Sequence, residues 1–189
     1  MDARKQLNDR GLATETGREE GKDRRILGLS SLQETSWEEA WDRARATLEG
    51  TTRHAMCGAS DEVRLGVLDW GGEGDVVVLH HANGFCAATL APIAAAMRDR
   101  FRVFSIDARG HGDSTPIAPG GDPNPYDWDT LAEDLAEVVR QILALAGRDQ
   151  VAVAIGHSFG GALLLRAASD EPELFERILL CDPVILPPM

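Results

Sequence analysis

The residue of this sequence best suited to nucleophilic chemistry is a serine flanked by glycines. Ser158 stands in the run Gly156-His157-Ser158-Phe159-Gly160, which fits the pattern G-x-S-x-G. An apolar, β-branched run at residues 151–155 predicts a buried strand before it, and the Ala- and Leu-rich residues 161–168 predict a helix after it. A sharp strand-to-helix turn strains its central residue and favours glycine two positions to either side. Such a turn would expose the Ser158 hydroxyl and direct the N–H of Phe159, at the helix start, toward an oxyanion.

Nucleophilic catalysis by a serine needs more than the hydroxyl. A base must accept its proton, another group must orient that base, and donors must stabilise the oxyanion. The sequence has five histidines, and all of them precede Ser158: His54, His80, His81, His111 and His157. His157 is adjacent to the serine, and on a strand-like backbone its side chain would point away from the hydroxyl.

Three segments together resemble the α/β-hydrolase superfamily. They are the G-x-S-x-G turn, the segment Leu79-His80-His81-Ala82-Asn83-Gly84-Phe85, which is similar to its oxyanion loop, and Asp107-Ala108-Arg109-Gly110-His111-Gly112-Asp113-Ser114, which is similar to its D-x-R-G-x-G-x-S loop. The resemblance runs from about Val63 to the last residue. It implies an α/β fold of the α/β-hydrolase type, with a mostly parallel sheet covered by helices on both faces.

The resemblance also implies an activity. A serine at the turn is similar to the serine-hydrolase branch, which acts on esters or related acyl bonds, and not to the epoxide-hydrolase and haloalkane-dehalogenase branches, which have a carboxylate there. Carbon–carbon bond hydrolysis and cofactor-free perhydrolysis stay open, because the same turn supports both. The implied partner is a small-molecule substrate, with neither an organic cofactor nor a metal.

The resemblance also implies roles for residues of the oxyanion-loop segment Leu79–Phe85. Gly84-Phe85 matches the family's His-Gly-x element, so the N–H of Phe85 is implied as the second oxyanion donor beside that of Phe159. In this sequence Ala82 and Asn83 separate the histidine from Gly84. The side chain of Asn83 is therefore an alternative donor, and Asn83 and Gly84 are candidate substrate contacts.

The family order of catalytic residues is Ser, then Asp or Glu, then His after the last strand. All five histidines precede Ser158, so the resemblance implies that none of them is the catalytic base. Asp182, which ends a predicted strand at residues 178–181, is the candidate acid, although most members place the acid one strand later. No counterpart of the last two strands, of the histidine loop or of the inserted cap follows it. The sequence is therefore predicted to be the N-terminal portion of an esterase-like hydrolase, truncated before the last strands and inactive as it stands.

A non-catalytic protein is the alternative hypothesis. The chain would then be an inactive hydrolase-like fragment, or a protein that binds a small ligand or a partner, with an exposed sheet edge at residues 178–181. A continuation of the reading frame that carried an acid and a later histidine would favour the enzyme.

Composition narrows the possible partners and location. The 189 residues are 43% hydrophobic and 26% charged, as in a globular domain, and the net charge of −12 argues against nucleic acid and anionic membranes. Three widely spaced cysteines form neither a disulfide framework nor a zinc motif. With neither an apolar run long enough to span a membrane nor a signal sequence, we expect a cytoplasmic protein. The oligomeric state is left open.

Along the chain, two parts are expected. Residues 1–35 are polar and are predicted to be a disordered tail, and residues 36–189 an incomplete hydrolase domain. Ser36 and Glu39 form a capping box for a helix to Glu49, whose Trp37 and Trp41 are expected to pack on the domain. Strands are predicted at residues 51–57, 63–70, 76–79 and 102–106, and helices at residues 90–98 and after a cap at Asp129 or Thr130.

Overall fold

The computed structural model describes residues 36–60, 62–116 and 127–185. The tail predicted at residues 1–35 lies outside the described residues, as do residues 117–126 of a Pro/Gly-rich stretch. In the described part, six strands form one sheet: β1 (Thr52–Cys57), β2 (Arg64–Gly71), β3 (Val76–His80), β4 (Arg102–Ile106), β5 (Val153–His157) and β6 (Ile178–Cys181). Four α-helices accompany them: α1 (Trp37–Glu49), α2 (Ala91–Met97), α3 (Trp128–Ala146) and α4 (Phe159–Asp170).

The sheet is mostly parallel, as predicted. Its strand order is β1-β2-β4-β3-β5-β6. Strands β4, β3, β5 and β6 run parallel to one another, whereas β2 is antiparallel to both β1 and β4. The two strands that open the sheet without an intervening helix thus form the expected antiparallel edge.

Helices cover both faces of this sheet, and the central strand β3 is buried on both sides. Val76 and Val78 pack in the core on the side of α3 and α4, whereas Val77 and Leu79 pack on the side of α1 and α2. Successive side chains of a strand point to opposite faces, so a continuous apolar run satisfies two cores at once. The carboxyl ends of β3, β4 and β5 consequently meet at one edge, which is where the candidate site lies.

Helix α1 begins with the predicted capping box, but its tryptophans do not pack on the domain. The Glu39 N–H donates to Ser36 Oγ at 3.2 Å, and the Ser36 N–H donates to Glu39 Oε2 at 3.0 Å. Trp37 is 76% and Trp41 50% exposed, and their rings stack on each other with centroids 6.3 Å apart. The helix is buried instead at Ala44, whose small side chain permits a close approach to the domain. The predicted packing of the tryptophans was wrong.

Two element boundaries also differ from prediction. Helix α3 is capped by Asp127, whose side chain accepts the Thr130 N–H at 3.1 Å, so the caps predicted at Asp129 or Thr130 were wrong. Asp127 has extended backbone angles, which suit an N-cap residue. Strand β5 begins at Val153, because Val151 pairs only through an isolated bridge to Phe175.

Candidate active site

The predicted strand-to-helix turn at Ser158 is present. Ser158 joins β5 to α4 with φ of 51° and ψ of −114°, a non-helical conformation that side chains rarely adopt. A Cβ on Gly156 would lie 2.6 Å from the backbone of Gly160 and Gly161, and one on Gly160 would lie 2.6 Å from the carbonyl of His81. The two glycines are therefore required by close backbone approach, since any side chain there would force the turn open.

The turn places Ser158 at the edge of an open cleft of about 530 Å³. Residues from three parts of the fold line it: Asn83, Gly110, His111, Trp128, Leu131, Ser158, Phe159 and Val184. Phe159 is the first residue of α4, so its N–H has no intrahelical partner and lies at the positive end of the helix dipole. The cleft thus combines a half-buried hydroxyl with one backbone donor able to stabilise an anion.

The oxyanion-loop candidates Asn83, Gly84 and Phe85 are all exposed, and Asn83 lines the same cleft. The two backbone donors of the loop already have protein partners. The Phe85 N–H donates to the Ala82 carbonyl at 3.1 Å, and the Gly84 N–H donates to His111 Nε2 at 3.2 Å. A donation from Phe85 to an oxyanion would require this turn to open, whereas the side chain of Asn83 already faces the cleft.

Two of the five histidines are buried and act as neutral braces. His81 Nδ1 lies 2.8 Å from the Ala82 carbonyl, and its Nε2 accepts the Ala108 N–H at 3.0 Å, so the ring carries its single proton on Nδ1. Burial lowers the pKa of His80 to about 3, because a charged imidazole there would lose its hydration. Burial also lowers the pKa of His81. Both nitrogens of His81 are thus committed to the backbone and not to Ser158.

The remaining histidines are placed differently. His54 lies on the outermost strand β1, and His157 is an exposed residue of β5 in register with Cys181 of β6. His111 shares the cleft with Ser158, but its Nδ1 lies 3.1 Å from the Arg109 carbonyl and its Nε2 accepts the Gly84 N–H. His111 therefore shares the cleft with Ser158, but both nitrogens of its ring are engaged with the loops.

The candidate acid Asp182 directly follows β6 and is exposed, with φ of 48°. It lies beside the serine turn, because the Ser158 N–H donates to the Cys181 carbonyl at 2.9 Å and the Val184 N–H donates to the Ser158 carbonyl at 3.3 Å. Ser158 and Asp182 are the two described non-glycine residues with positive φ. Both strained positions therefore lie at the same edge of the sheet, where such conformations often accompany function.

The Asp107–Ser114 loop is held by its own buried carboxylate. Asp107 accepts the Ala87 N–H at 2.5 Å through Oδ1 and the Asp113 N–H at 3.0 Å through Oδ2. Arg109 makes a two-pronged ion pair with Asp134 of α3, at 2.8 and 3.0 Å. These contacts fix the loop that carries His111 into the cleft.

Two features of the site were not predicted from the sequence: the buried Asp134, and the lining of the cleft by Trp128 and Leu131 of α3. Asp134 is 1% exposed and also accepts the Ala59 N–H at 2.8 Å. Its signal was an acidic residue on the apolar stripe of α3, between Leu131 and Leu135, where a charge is stable only with a buried partner. Trp128 carries no comparable signal, because only the fold brings it to Phe159, at a ring-centroid distance of 5.4 Å.

Within the described residues, no helix is long and apolar enough to cross a membrane. The same residues contain no cluster of three or more His, Cys, Asp or Glu side chains placed to hold a metal ion.

Comparison with known proteins places the chain in a family. The model of the alpha/beta hydrolase family matches residues 76–189. A 2-(acetamidomethylene)succinate hydrolase of Mesorhizobium japonicum is 29% identical over 111 residues, covering 59% of this chain and 36% of the relative. The non-heme chloroperoxidase CPO-A1 of Kitasatospora aureofaciens is 36% identical over 113 residues, covering 59% of this chain and 37% of the relative. The chain thus spans little more than a third of the length of these relatives.

A solved esterase has the same fold. The thermophilic esterase of Thermogutta terrifontis superposes with a TM-score of 0.60 at 24% identity, over 73% of this chain and 48% of that one. At this identity the likeness concerns the fold alone. The family match at residues 76–189 covers more than half of the sequence and includes strands β3 to β6 and the serine turn. The chain belongs to the α/β hydrolase family.

Proposed function

We propose that Ser158 is the nucleophile of a serine hydrolase acting on an ester or related acyl bond. The observation that carries this proposal is the strained turn, which holds the hydroxyl in an open cleft at the N-terminus of α4. Attack by Ser158 Oγ on an acyl carbon would place negative charge on the acyl oxygen. The N–H of Phe159 would stabilise that charge, together with the side chain of Asn83 or the N–H of Phe85.

The histidines that the structure describes around the serine turn do not supply a base for the proposed mechanism. His81 is committed through both nitrogens, His80 is buried and neutral, and His111 is bonded to the loops. We infer that the base that accepts the serine proton is not one of these histidines, and that the chain by itself turns over slowly. Asp182 is the proposed acid, because it follows the strand whose carbonyl holds the serine turn.

Substrate class is proposed from the cleft and the relatives. Gly84 and Asn83 are the proposed substrate contacts, since they lie on the loop beside the cleft. The Mesorhizobium relative is named as a hydrolase and the Kitasatospora relative as a non-heme chloroperoxidase, so perhydrolysis stays a second candidate reaction. A small-molecule substrate, independence of cofactors and a cytoplasmic location remain predictions from the sequence.

The test is hydrolysis of p-nitrophenyl acetate with and without added imidazole, which is small enough to enter the open cleft. General-base catalysis supplies about 10²–10⁴-fold in rate, so the chain alone should hydrolyse the ester barely above background. Imidazole should accelerate the wild-type chain beyond the reaction of imidazole alone. Ser158→Ala should abolish this gain, and the matched control Ser169→Ala, an exposed serine of the same helix, should retain it.

Labelling with a fluorophosphonate probe gives a second readout, which should be weak without imidazole and absent in Ser158→Ala. Rapid hydrolysis without imidazole that Ser158→Ala abolishes would contradict the missing base and assign that role to His81, His111 or His157. An imidazole response that is equal in wild type and Ser158→Ala would contradict the nucleophile. That second outcome would favour the non-catalytic alternative.

A further inference from the structure

We infer that His111 is a positioning residue that determines whether the Gly84 N–H is held inside the protein or released to bind an oxyanion. Any catalytic consequence of this switch rests on the proposed function of Ser158. The inference about His111 is based on the hydrogen bonds of its ring. Both ring nitrogens contact the loops around the cleft.

The first arrangement is the neutral ring. His111 Nδ1 lies 3.1 Å from the Arg109 carbonyl, which only accepts hydrogen bonds, so Nδ1 carries a proton. Nε2 accepts the Gly84 N–H at 3.2 Å, so in this arrangement Nε2 is unprotonated. The Gly84 N–H is then consumed by the ring and is not available to a ligand.

The second arrangement is the charged ring, which the side chain of Asn83 favours. Asn83 Oδ1 lies 3.2 Å from the same Nε2, and two acceptors at that distance do not attract each other. A proton on Nε2 would convert this contact into a hydrogen bond to Oδ1. The Gly84 N–H would lose its acceptor, and the Asn83 amide NH₂ would be directed away from the ring. Protonation of His111 would therefore have two effects at once: it would release the Gly84 N–H and orient the Asn83 amide NH₂.

When the His111 ring is neutral, the side-chain amide of Asn83 can have either of two orientations. If the Asn83 amide is turned by 180°, its NH₂ donates to Nε2 and competes with the Gly84 N–H for the same lone pair. Both orientations leave the neutral ring holding the loop. Only the charged ring releases Gly84, so the inference does not depend on which amide orientation is present.

The groups that surround His111 are either uncharged or bonded to other partners. The His81 ring is 5.1 Å away, but its two backbone hydrogen bonds fix it as neutral. Helices α3 and α4 present Trp128, Leu131 and Phe159 to the cleft, and none of these is charged. The other titratable or charged groups of the surrounding loops are engaged elsewhere: His80 with the His81 carbonyl, Asp107 with backbone N–H groups, Arg109 with Asp134, and Asp113 with Arg53.

The experiment follows the Gly84 amide by ¹H–¹⁵N NMR, with its hydrogen exchange, as the pH of the full chain is varied from 8 to 5. In the wild type, we expect the Gly84 resonance to shift with the same midpoint as the His111 ring and to lose its exchange protection in the charged form. His111→Gln keeps an acceptor of similar reach but no titrating group, so the shift should disappear while protection remains. His111→Leu removes the acceptor, so protection should be lost at every pH.

A matched control is His54→Gln, which removes a histidine of β1 and should leave the Gly84 response unchanged. The inference is overturned if Gly84 keeps its pH response in His111→Gln, or if the wild-type amide does not respond at all. Because His111→Gln retains the hydrogen bond, its result stands even if His111→Leu does not fold. None of these readouts requires turnover, so failure here and failure of the Ser158 proposal are separate results.

Discussion

At the scale of single residues, burial decides the protonation state of the site histidines. His80 is 1% exposed and lies against Phe159, with ring centroids 6.1 Å apart. A charged imidazole there would lose its hydration, which is why the pKa falls to about 3. The neutral His80 ring packs against Gly160, which is part of the serine turn. Burial of an uncharged His80 therefore helps to hold the turn in place.

This burial predicts a pH-dependent stability. Between the ordinary pKa of 6.5 and the folded value of about 3, the unfolded chain binds a proton that the folded chain does not. The free energy of unfolding should therefore fall as the pH falls below 6.5, by at most about 1.4 kcal/mol per pH unit from this residue. Urea denaturation from pH 7 to pH 5 should show a shallower decline for His80→Gln than for wild type. Equal slopes would contradict a neutral, buried His80.

At the scale of elements, one buried carboxylate joins helix α3 to two loops. Asp134 binds the guanidinium of Arg109 from the loop after β4 and the N–H of Ala59 from the loop after β1. Removing one partner of a buried ion pair leaves the other charge without compensation. The position of the loop that carries His111 therefore depends on a residue of a distant helix.

Asp134→Ala should accordingly be severely destabilising, by about 3–5 kcal/mol in the free energy of unfolding. The matched control is Asp170→Ala, which breaks the exposed ion pair with Arg166 on α4 and should leave the unfolding midpoint nearly unchanged. Urea denaturation of the two variants provides the comparison. A loss at Asp134 no larger than that at Asp170 would show that the loop is held by other contacts.

At the scale of the whole molecule, an apolar edge coexists with a large negative charge. Strand β6 pairs with β5 alone among the described strands, and Leu179 on it is 53% exposed. Ile185, four residues beyond the end of β6, is 74% exposed. An uncovered strand edge favours pairing with another chain, whereas the net charge of −12 opposes association until salt screens it.

The chain should therefore self-associate increasingly as the salt concentration rises, in sedimentation velocity experiments at fixed protein concentration. Leu179→Glu should suppress this association by placing a charge on the edge strand. Leu145→Glu changes the charge equally at a site that is 52% exposed on α3, and it should associate like the wild type. Equal suppression by both variants would attribute the effect to net charge and not to the β6 edge.

The sequence by itself determined the elements that depend on neighbouring residues. Three features were predicted correctly: the serine turn, the continuous burial of β3 and the capping box at Ser36 and Glu39. Each of them depends on a few consecutive residues. The mostly parallel sheet was also predicted correctly, from strands that alternate with helices, but its strand order was not predicted. The roles of Ser158 and Asp182 stay predictions.

Only the tertiary structure decided the contacts between residues far apart in the chain. It showed that the Gly84 N–H is bonded to His111 and that Asp134 is the partner of Arg109. It also left Trp37 exposed, against the prediction from helical spacing. Spacing gives the face of a helix on which a side chain lies, but not which face meets the domain. That choice, like the partner of a loop N–H, depends on packing across the fold, which no local run of residues specifies.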